Sequence, residues 1–228
     1  MTMSAVSRAR SHPDGSRMKL LILGTRTFAP EIADVASDVP GVEIAGFVEN
    51  LDRSRCSETL EGLPIHWVDD IAPLTETHLA VCALGTTQRS RFIEQASQMG
   101  MRFATIVHPA ARISRNSTVG EGSIVCPGVV IATRTTIGRH VILNRGALIG
   151  HHTTVGDYCS IMPGANIAGA CSIGNATYVG MGALVLDHHI VGSQSVVGAG
   201  SVVTRDVPDK VQVLGAPARI VREQIEGR

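Results

Sequence analysis

The chain has 228 residues, and its 20 Lys and Arg balance its 20 Asp and Glu, so the formal net charge is zero. That balance argues against nucleic acid or an anionic membrane as a partner, and no apolar run is long enough to span a bilayer. Hydrophobic residues reach 44% while aromatics stay at 3%, which suits a narrow aliphatic core better than a broad aromatic one.

Residues 1–17 are polar and hold no apolar h-region, so they read as a disordered extension rather than a secretory leader, with Met18 an alternative start. Met18 to Gly24 (MKLLILG) reads as a buried strand. Ala29 to Val39 has helical spacing, with Ile32, Val35 and Ala36 on one face. Val42 to Val48 is a second strand, ending at Glu49-Asn50. Leu63 to Val68 reads as an edge strand, Leu79 to Leu84 as another strand, Thr86 to Met99 as a helix, and Arg102 to Val107 as a last strand. Strands alternating with helices predict a small Rossmann-like parallel α/β domain over residues 18–107. In such a fold ligands sit at the carboxyl ends of the strands. Here those ends carry Gly24, Arg26, Thr27 and Phe28 after the first strand, and Glu49 and Asn50 after the second. An acidic residue about twenty-five positions after the first turn suits ribose hydroxyls or a base, although only Gly24 remains of a glycine fingerprint.

From residue 108 onward the pattern changes. Beginning at Ile113 and ending at Val203, every sixth residue is aliphatic, and the register never slips. Four places after many of these aliphatics sits a small or β-branched residue, as at Ser117, Thr135, Thr153, Cys159 and Cys171; His189 is the exception. A fixed period of six fits neither a helix nor simple strand alternation and marks a parallel β-helix, in which each rung touches only its neighbours. Past Val203, Pro208, Gly215 and Pro217 end the repeat, and Ile220 to Ile225 reads as a short cap helix. None of the five cysteines forms a CxxC pair, and Cys159 and Cys171 fall on inward positions. They read as buried thiols of a reduced, cytoplasmic protein.

Three motifs carry a resemblance: His108-Pro109-Ala110-Ala111 at the junction, Asn144-Arg145-Gly146-Ala147-Leu148-Ile149-Gly150-His151-His152 in the repeat, and Gly215-Ala216-Pro217-Ala218-Arg219 near the end. Together they resemble the sugar O-acyl/N-acetyltransferase family of hexapeptide-repeat acyltransferases, the type that includes sialic-acid O-acetyltransferases and UDP-4-amino-sugar acetyltransferases. The resemblance covers about residues 18 to 222. It implies a left-handed β-helix over 108–228, with three hexads and eighteen residues per coil. The left hand comes from the resemblance alone, since it runs against the usual right-handed crossover.

The resemblance also implies transfer of an acetyl group from acetyl-CoA to the amine or hydroxyl of a sugar, a nucleotide-linked amino sugar above all, in a homotrimer with no metal. His151, two places after Ile149, should point outward, and a neutral His suits a general base near pH 7; the resemblance makes it that base, with His152 tuning it. Gly169 is eighteen residues after His151 and should stack on it, leaving an N–H for the oxyanion. Acyl-CoA is expected along Ser160, Gly169, Met181 and Ala199, with Lys210, Arg219 and Arg222 offered to its phosphates. Three positions depart from the family's pattern: His152 replaces a carboxylate, Ser160 replaces a frequent His, and Arg26-Thr27 replaces a glycine-rich turn. Two other readings compete. One is a zinc enzyme on the same helix, like the γ-type carbonic anhydrases, prompted by His151, His152, His188 and His189. The other is an inactive binding scaffold.

Overall fold

The computed structural model describes residues 17–228, so the expected disordered extension lies, but for Arg17, outside the described residues. The chain forms two compact units that meet in sequence at Pro109-Ala110, with the short segment 86–88 grouped with the second.

The first unit is a five-stranded sheet in the order β3-β4-β2-β1-β5. Its elements are β1 (Met18–Leu23), α1 (Phe28–Ser37), β2 (Val42–Glu49), β3 (Thr59–Leu60), β4 (Leu63–Trp67), β5 (His78–Cys82) and α2 (Ser90–Gln98). Strand β1 runs parallel to both β2 and β5. Leu20 to Leu23 are fully buried because helices cover such a sheet on its faces. Helix α1 turns Ala29, Ile32, Val35 and Ala36 to the core. The expected edge strand β4 is instead internal: it pairs with β2 on one side and, antiparallel, with β3 on the other. The expected strand over Arg102 to Val107 shrinks to an isolated bridge from Ala80 to Phe103 and the pair Ile106–Val107. The expected helix from Thr86 begins as a 3₁₀ turn at Thr87–Arg89.

The second unit is a three-faced parallel β-helix. Its first face stacks the two-residue strands 112–113, 130–131, 148–149, 166–167, 184–185 and 202–203. The second face stacks 118–119, 136–137, 154–155, 172–173 and 190–191, and the third includes 124–125, 142–143, 160–161, 178–179 and 196–197. Register partners such as Leu148 and Asn166 lie one coil of eighteen residues apart. The inward aliphatics form the core: Val125, Leu143, Ile161, Ile167, Val179 and Val197 are fully buried.

The small residues four places on have a second job. Ser117, Ser123, Thr135, Thr153 and Thr177 each donate a hydroxyl hydrogen bond to a carbonyl fifteen residues ahead. Buried polar groups must be paired in this way. Cys159 and Cys171 take the same place, their thiols facing the carbonyls of Gly174 and Leu186. His189, the exception, instead meets Asp206 at 3.1 Å. Most corners also hold one residue at positive φ. On the corner between the third and first faces this is glycine throughout, from Gly128 to Gly200, whereas Arg134, His152, Ala170 and His188 fill the corner between the first and second. A non-glycine residue there costs on the order of 1 kcal/mol, so that corner carries side chains at a conformational cost.

The coil does not stop at Val203. Val207 bridges to Val191, and Gln212 pairs with Val196, sixteen residues on rather than eighteen. The expected cap helix is a strand, Arg219–Arg222, antiparallel to Gln212–Leu214. Its backbone completes the hydrogen bonding of the last rung, which an isolated six-residue helix could not do.

Candidate active site

His151, His152 and Gly169 come together on the corner between the first and second faces. The His151 and His152 rings meet edge to face, with centroids 5.1 Å apart and Nδ1 to Nδ1 at 3.0 Å. Both are exposed. Gly169 lies directly against His151: a Cβ built on it would stand 2.6 Å from Cε1 and 2.8 Å from Nε2. The expected eighteen-residue stacking therefore holds, and only a glycine leaves room for the ring.

The backbone of this corner differs from that of the next. On the corner between the second and third faces, each N–H is taken by a side chain one coil ahead: Arg139 by Asp157, Asp157 by Asn175, Asn175 by Ser193. Asp157 also accepts the Arg139 guanidinium at 2.9 Å. Burial works to raise its pKa, but the Arg139 N–H and guanidinium outweigh it and hold the carboxyl below the usual range. Gly169 has no side chain to offer His151. Among the described residues, its own N–H also has no recorded acceptor, so a donor is presented beside the imidazole.

The expected acyl-CoA residues divide. Met181 and Ala199 share the corner between the third and first faces, where Gly200 N–H donates to the Met181 carbonyl at 2.8 Å. Met181 is 60% exposed. Arg219 follows the Gly215-Ala216-Pro217 turn, whose Gly215 accepts from Val202, and is exposed. Lys210 departs from this group. Its N–H meets the Ser193 carbonyl on the corner between the second and third faces, and it lines a cavity of about 500 Å³ with Asp209, Glu223 and Glu226. Ser160 is fully buried, so it does not line an open groove of the chain. The reason is its face: its stacked neighbours Ile142, Tyr178 and Val196 are buried too, at 1%, 7% and 7% exposure, whereas outward residues on the first face are open.

In the first unit, Gly24 (φ 121°) ends β1 against the Ala83 carbonyl and the Leu84 side chain. With β1 between β2 and β5, the strand order reverses here, which is where such sheets take ligands. Arg26 and Thr27 are exposed, Phe28 and Asn50 half-buried, and Asn50 donates to Gln95 at 3.1 Å. Glu49 corrects the expectation. It is 5% exposed, and one oxygen takes the Thr25 hydroxyl. The other accepts the N–H groups of Asn50, Leu51 and Asp52. Burial pushes its pKa up, but the Thr25 and backbone bonds win and hold it below the ordinary value. Its carboxylate shapes the turn after β2 and is not presented to a ligand. His108 of the junction meets Asp38 at 3.0 Å.

Two features escaped the sequence reading. Arg134 Nη1 lies 3.4 Å from His152 Nε2; its separation of eighteen residues was the available signal. Residues 83–85, across from Gly24, showed only as the end of an apolar run. Four of the cysteines, Cys82, Cys126, Cys159 and Cys171, are buried as expected, whereas Cys56 is half-buried; burial pushes the Cys82 and Cys126 thiols up to about 12 and raises Cys171. Among the described residues no group of three or more His, Cys, Asp or Glu is set to hold a metal ion, so the zinc reading finds no centre there. None of their helices is long and apolar enough to cross a membrane.

Among known proteins, the chain is similar over residues 134–169 to hexapeptide-repeat transferases and over most of its length to solved acetyltransferases, a perosamine N-acetyltransferase among them. The family description bacterial transferase hexapeptide (six repeats) matches residues 134–169, the coils that hold both histidines and Gly169. PerB from Caulobacter crescentus, solved with CoA and GDP-perosamine, is similar at 29% identity and a TM-score of 0.81, over 90% of this chain and 97% of that one. The acetyltransferase domain of PglB from Neisseria gonorrhoeae, solved with acetyl coenzyme A, is similar at 26% identity and a TM-score of 0.81, over 90% and 100%. WeeI from Acinetobacter baumannii matches at 25% identity with the same TM-score and coverage. No curated protein matches the chain.

Proposed function

We propose that the protein transfers an acetyl group from acetyl-CoA to the amine of a nucleotide-linked amino sugar. The observation that carries the reading is the exposed His151 imidazole packed on Gly169, in a chain whose structural relatives include one solved with CoA and GDP-perosamine and one with acetyl coenzyme A. His151 Nε2 takes the proton from the acceptor amine as that amine attacks the thioester carbonyl. The N–H of Gly169 stabilises the oxyanion, and the thiolate of CoA leaves. For this, His151 holds its own proton on Nδ1 and donates it to His152 Nδ1, so His152 does in part what a carboxylate would do. No nucleophilic cysteine takes part, since Cys159 and Cys171 are buried.

The first unit selects the acceptor through Gly24, Arg26, Thr27, Phe28 and Asn50, and Met181, Ala199 and Arg219 hold acyl-CoA. Met181 and Ala199 lie on one corner flanking the first face and His151 on the other. That face exposes Val130, Leu148 and Leu184 at 38–41%, an apolar row of the kind that marks an interaction surface. Three copies packed through it would bring the CoA corner of one protomer beside the His151 corner of the next. The setting proposed is a cytoplasmic homotrimer.

Purified protein incubated with acetyl-CoA and a panel of amino sugars, GDP-perosamine included, should release CoA with at least one acceptor. His151→Ala should slow that release sharply while acetyl-CoA still binds. No acetylated product from any amino sugar would leave the scaffold reading instead.

A further inference from the structure

The contact between Arg134 and the histidine pair constrains where the imidazole protons sit. A guanidinium has five N–H donors and no acceptor. The ring nitrogen facing it, His152 Nε2 at 3.4 Å, is therefore the one with the lone pair. A neutral imidazole carries its single proton on the other nitrogen, so His152 holds N–H at Nδ1. That atom faces His151 Nδ1 at 3.0 Å, which must then accept, and the proton of His151 is forced onto Nε2. An Nε2–H cannot take a proton from an attacking amine. The opposite arrangement would set an Nε2–H of His152 against the N–H of Arg134, donor to donor.

We propose that Arg134 is a positioning residue that holds the His151–His152 pair in the tautomer with its basic nitrogen covered, and that catalysis begins when this guanidinium leaves His152. The change is balanced within the pair. The His152 Nδ1 proton passes to His151 Nδ1, His151 releases its Nε2 proton to water, and His152 gains one at Nε2 from water. Arg134 is free to move because it is exposed on a corner and touches His152 through one long hydrogen bond. A phosphate-bearing substrate arriving at that corner has the charge to draw it off. The feature is particular to a histidine at this place: a carboxylate accepts from both the Arg and the catalytic imidazole, and no such conflict arises.

The consequence for turnover rests on the acetyl-transfer reading; the proton positions do not. The test is long-range ¹H–¹⁵N correlation of the full chain labelled at histidine nitrogens, compared with Arg134→Met, which keeps length and loses every donor. The wild type should show His151 protonated at Nε2, and Arg134→Met should move that proton to Nδ1. A chemical readout runs beside it. Diethyl pyrocarbonate needs a ring lone pair, so carbethoxylation of His151, mapped by mass spectrometry, should be faster in Arg134→Met. Arg134→Lys, still a donor only, should keep the wild-type pattern. Finding His151 protonated at Nδ1 in the wild type, or no change in Arg134→Met, overturns the proposal. Loss of the pattern in Arg134→Lys would assign it to side-chain shape and overturn the donor argument. Correct proton positions in a chain that acetylates nothing would refute the function and leave this inference standing.

Discussion

His151 and Gly169 act as one unit, because the space that Gly169 leaves is filled by the His151 ring. His151→Ala should lower acetyl turnover by ~10²–10⁴-fold, the usual cost of a lost general base, with the Michaelis constant for acetyl-CoA nearly unchanged. Gly169→Ala should lower turnover by roughly 10² for a geometric reason, since its methyl group evicts the ring. Its melting temperature should stay near wild type because an exposed ring can swing away. Unaltered steady-state kinetics in Gly169→Ala would refute the pairing. This pair was legible by counting eighteen from His151. Ser160 and Lys210 were not, because the period of six tells inward from outward but not which of three faces is open or which corner a residue tops. Glu49 misled for a different reason: an acidic residue after the second strand looks the same in sequence whether its carboxylate faces a ligand or folds back onto Thr25. Its lowered folded pKa gives a pH test. The stability it adds is present above the unfolded value, near 4.5, and is lost as pH falls through the folded value. Thr25→Val removes one of the bonds that lower it, so the acid-unfolding midpoint should move to higher pH; an unmoved midpoint would argue against the turn-shaping role.

At the level of the element, the hexads made the rungs readable almost to the residue, since each two-residue strand ends on its inward aliphatic. What could not be read was the closing segment. Ile220 and Val221 stand side by side between two arginines in a stretch too short to show a period, and the strand Arg219–Arg222 exists because Gln212–Leu214 offers it an edge. The glycines of the coil differ in what they protect, and two of them separate the causes. A Cβ at Gly150 would stand 2.4 Å from the Ala168 carbonyl carbon, backbone that cannot step aside. Gly146 has open space around it but φ at +66°. Gly146→Ala should cost about 1 kcal/mol, and Gly150→Ala more, about 1–3 kcal/mol from overpacking. Chemical denaturation of the two variants measures the order; a larger loss at Gly146 would mean that torsion outweighs contact.

For the whole molecule, the division into two units predicts a division of kinetic effects. Arg26→Ala should raise the Michaelis constant for the amino-sugar acceptor and leave that for acetyl-CoA alone; equal effects on both would argue that the first unit does not choose the acceptor. Leu148→Lys, on the exposed apolar row, should reduce the mass seen by light scattering to that of one chain and take activity with it. A fully active monomer would dismiss a site shared between protomers.

A stack of parallel rungs is open at its end, with unpaired backbone donors and acceptors ready to template a further rung from another molecule. In this chain the last coil falls two residues short of the others, and a reversed strand with arginines at both ends, Arg219 and Arg222, is laid along it. That reversal acts as a stopper: an incoming parallel rung meets a strand of the wrong direction and two like charges. The loss of register after Val203 is thus what makes the array finite. A chain truncated after Ala218 should grow end to end, seen as rising particle size in dynamic light scattering and as filaments by electron microscopy. The full chain should keep a constant size at the same concentration.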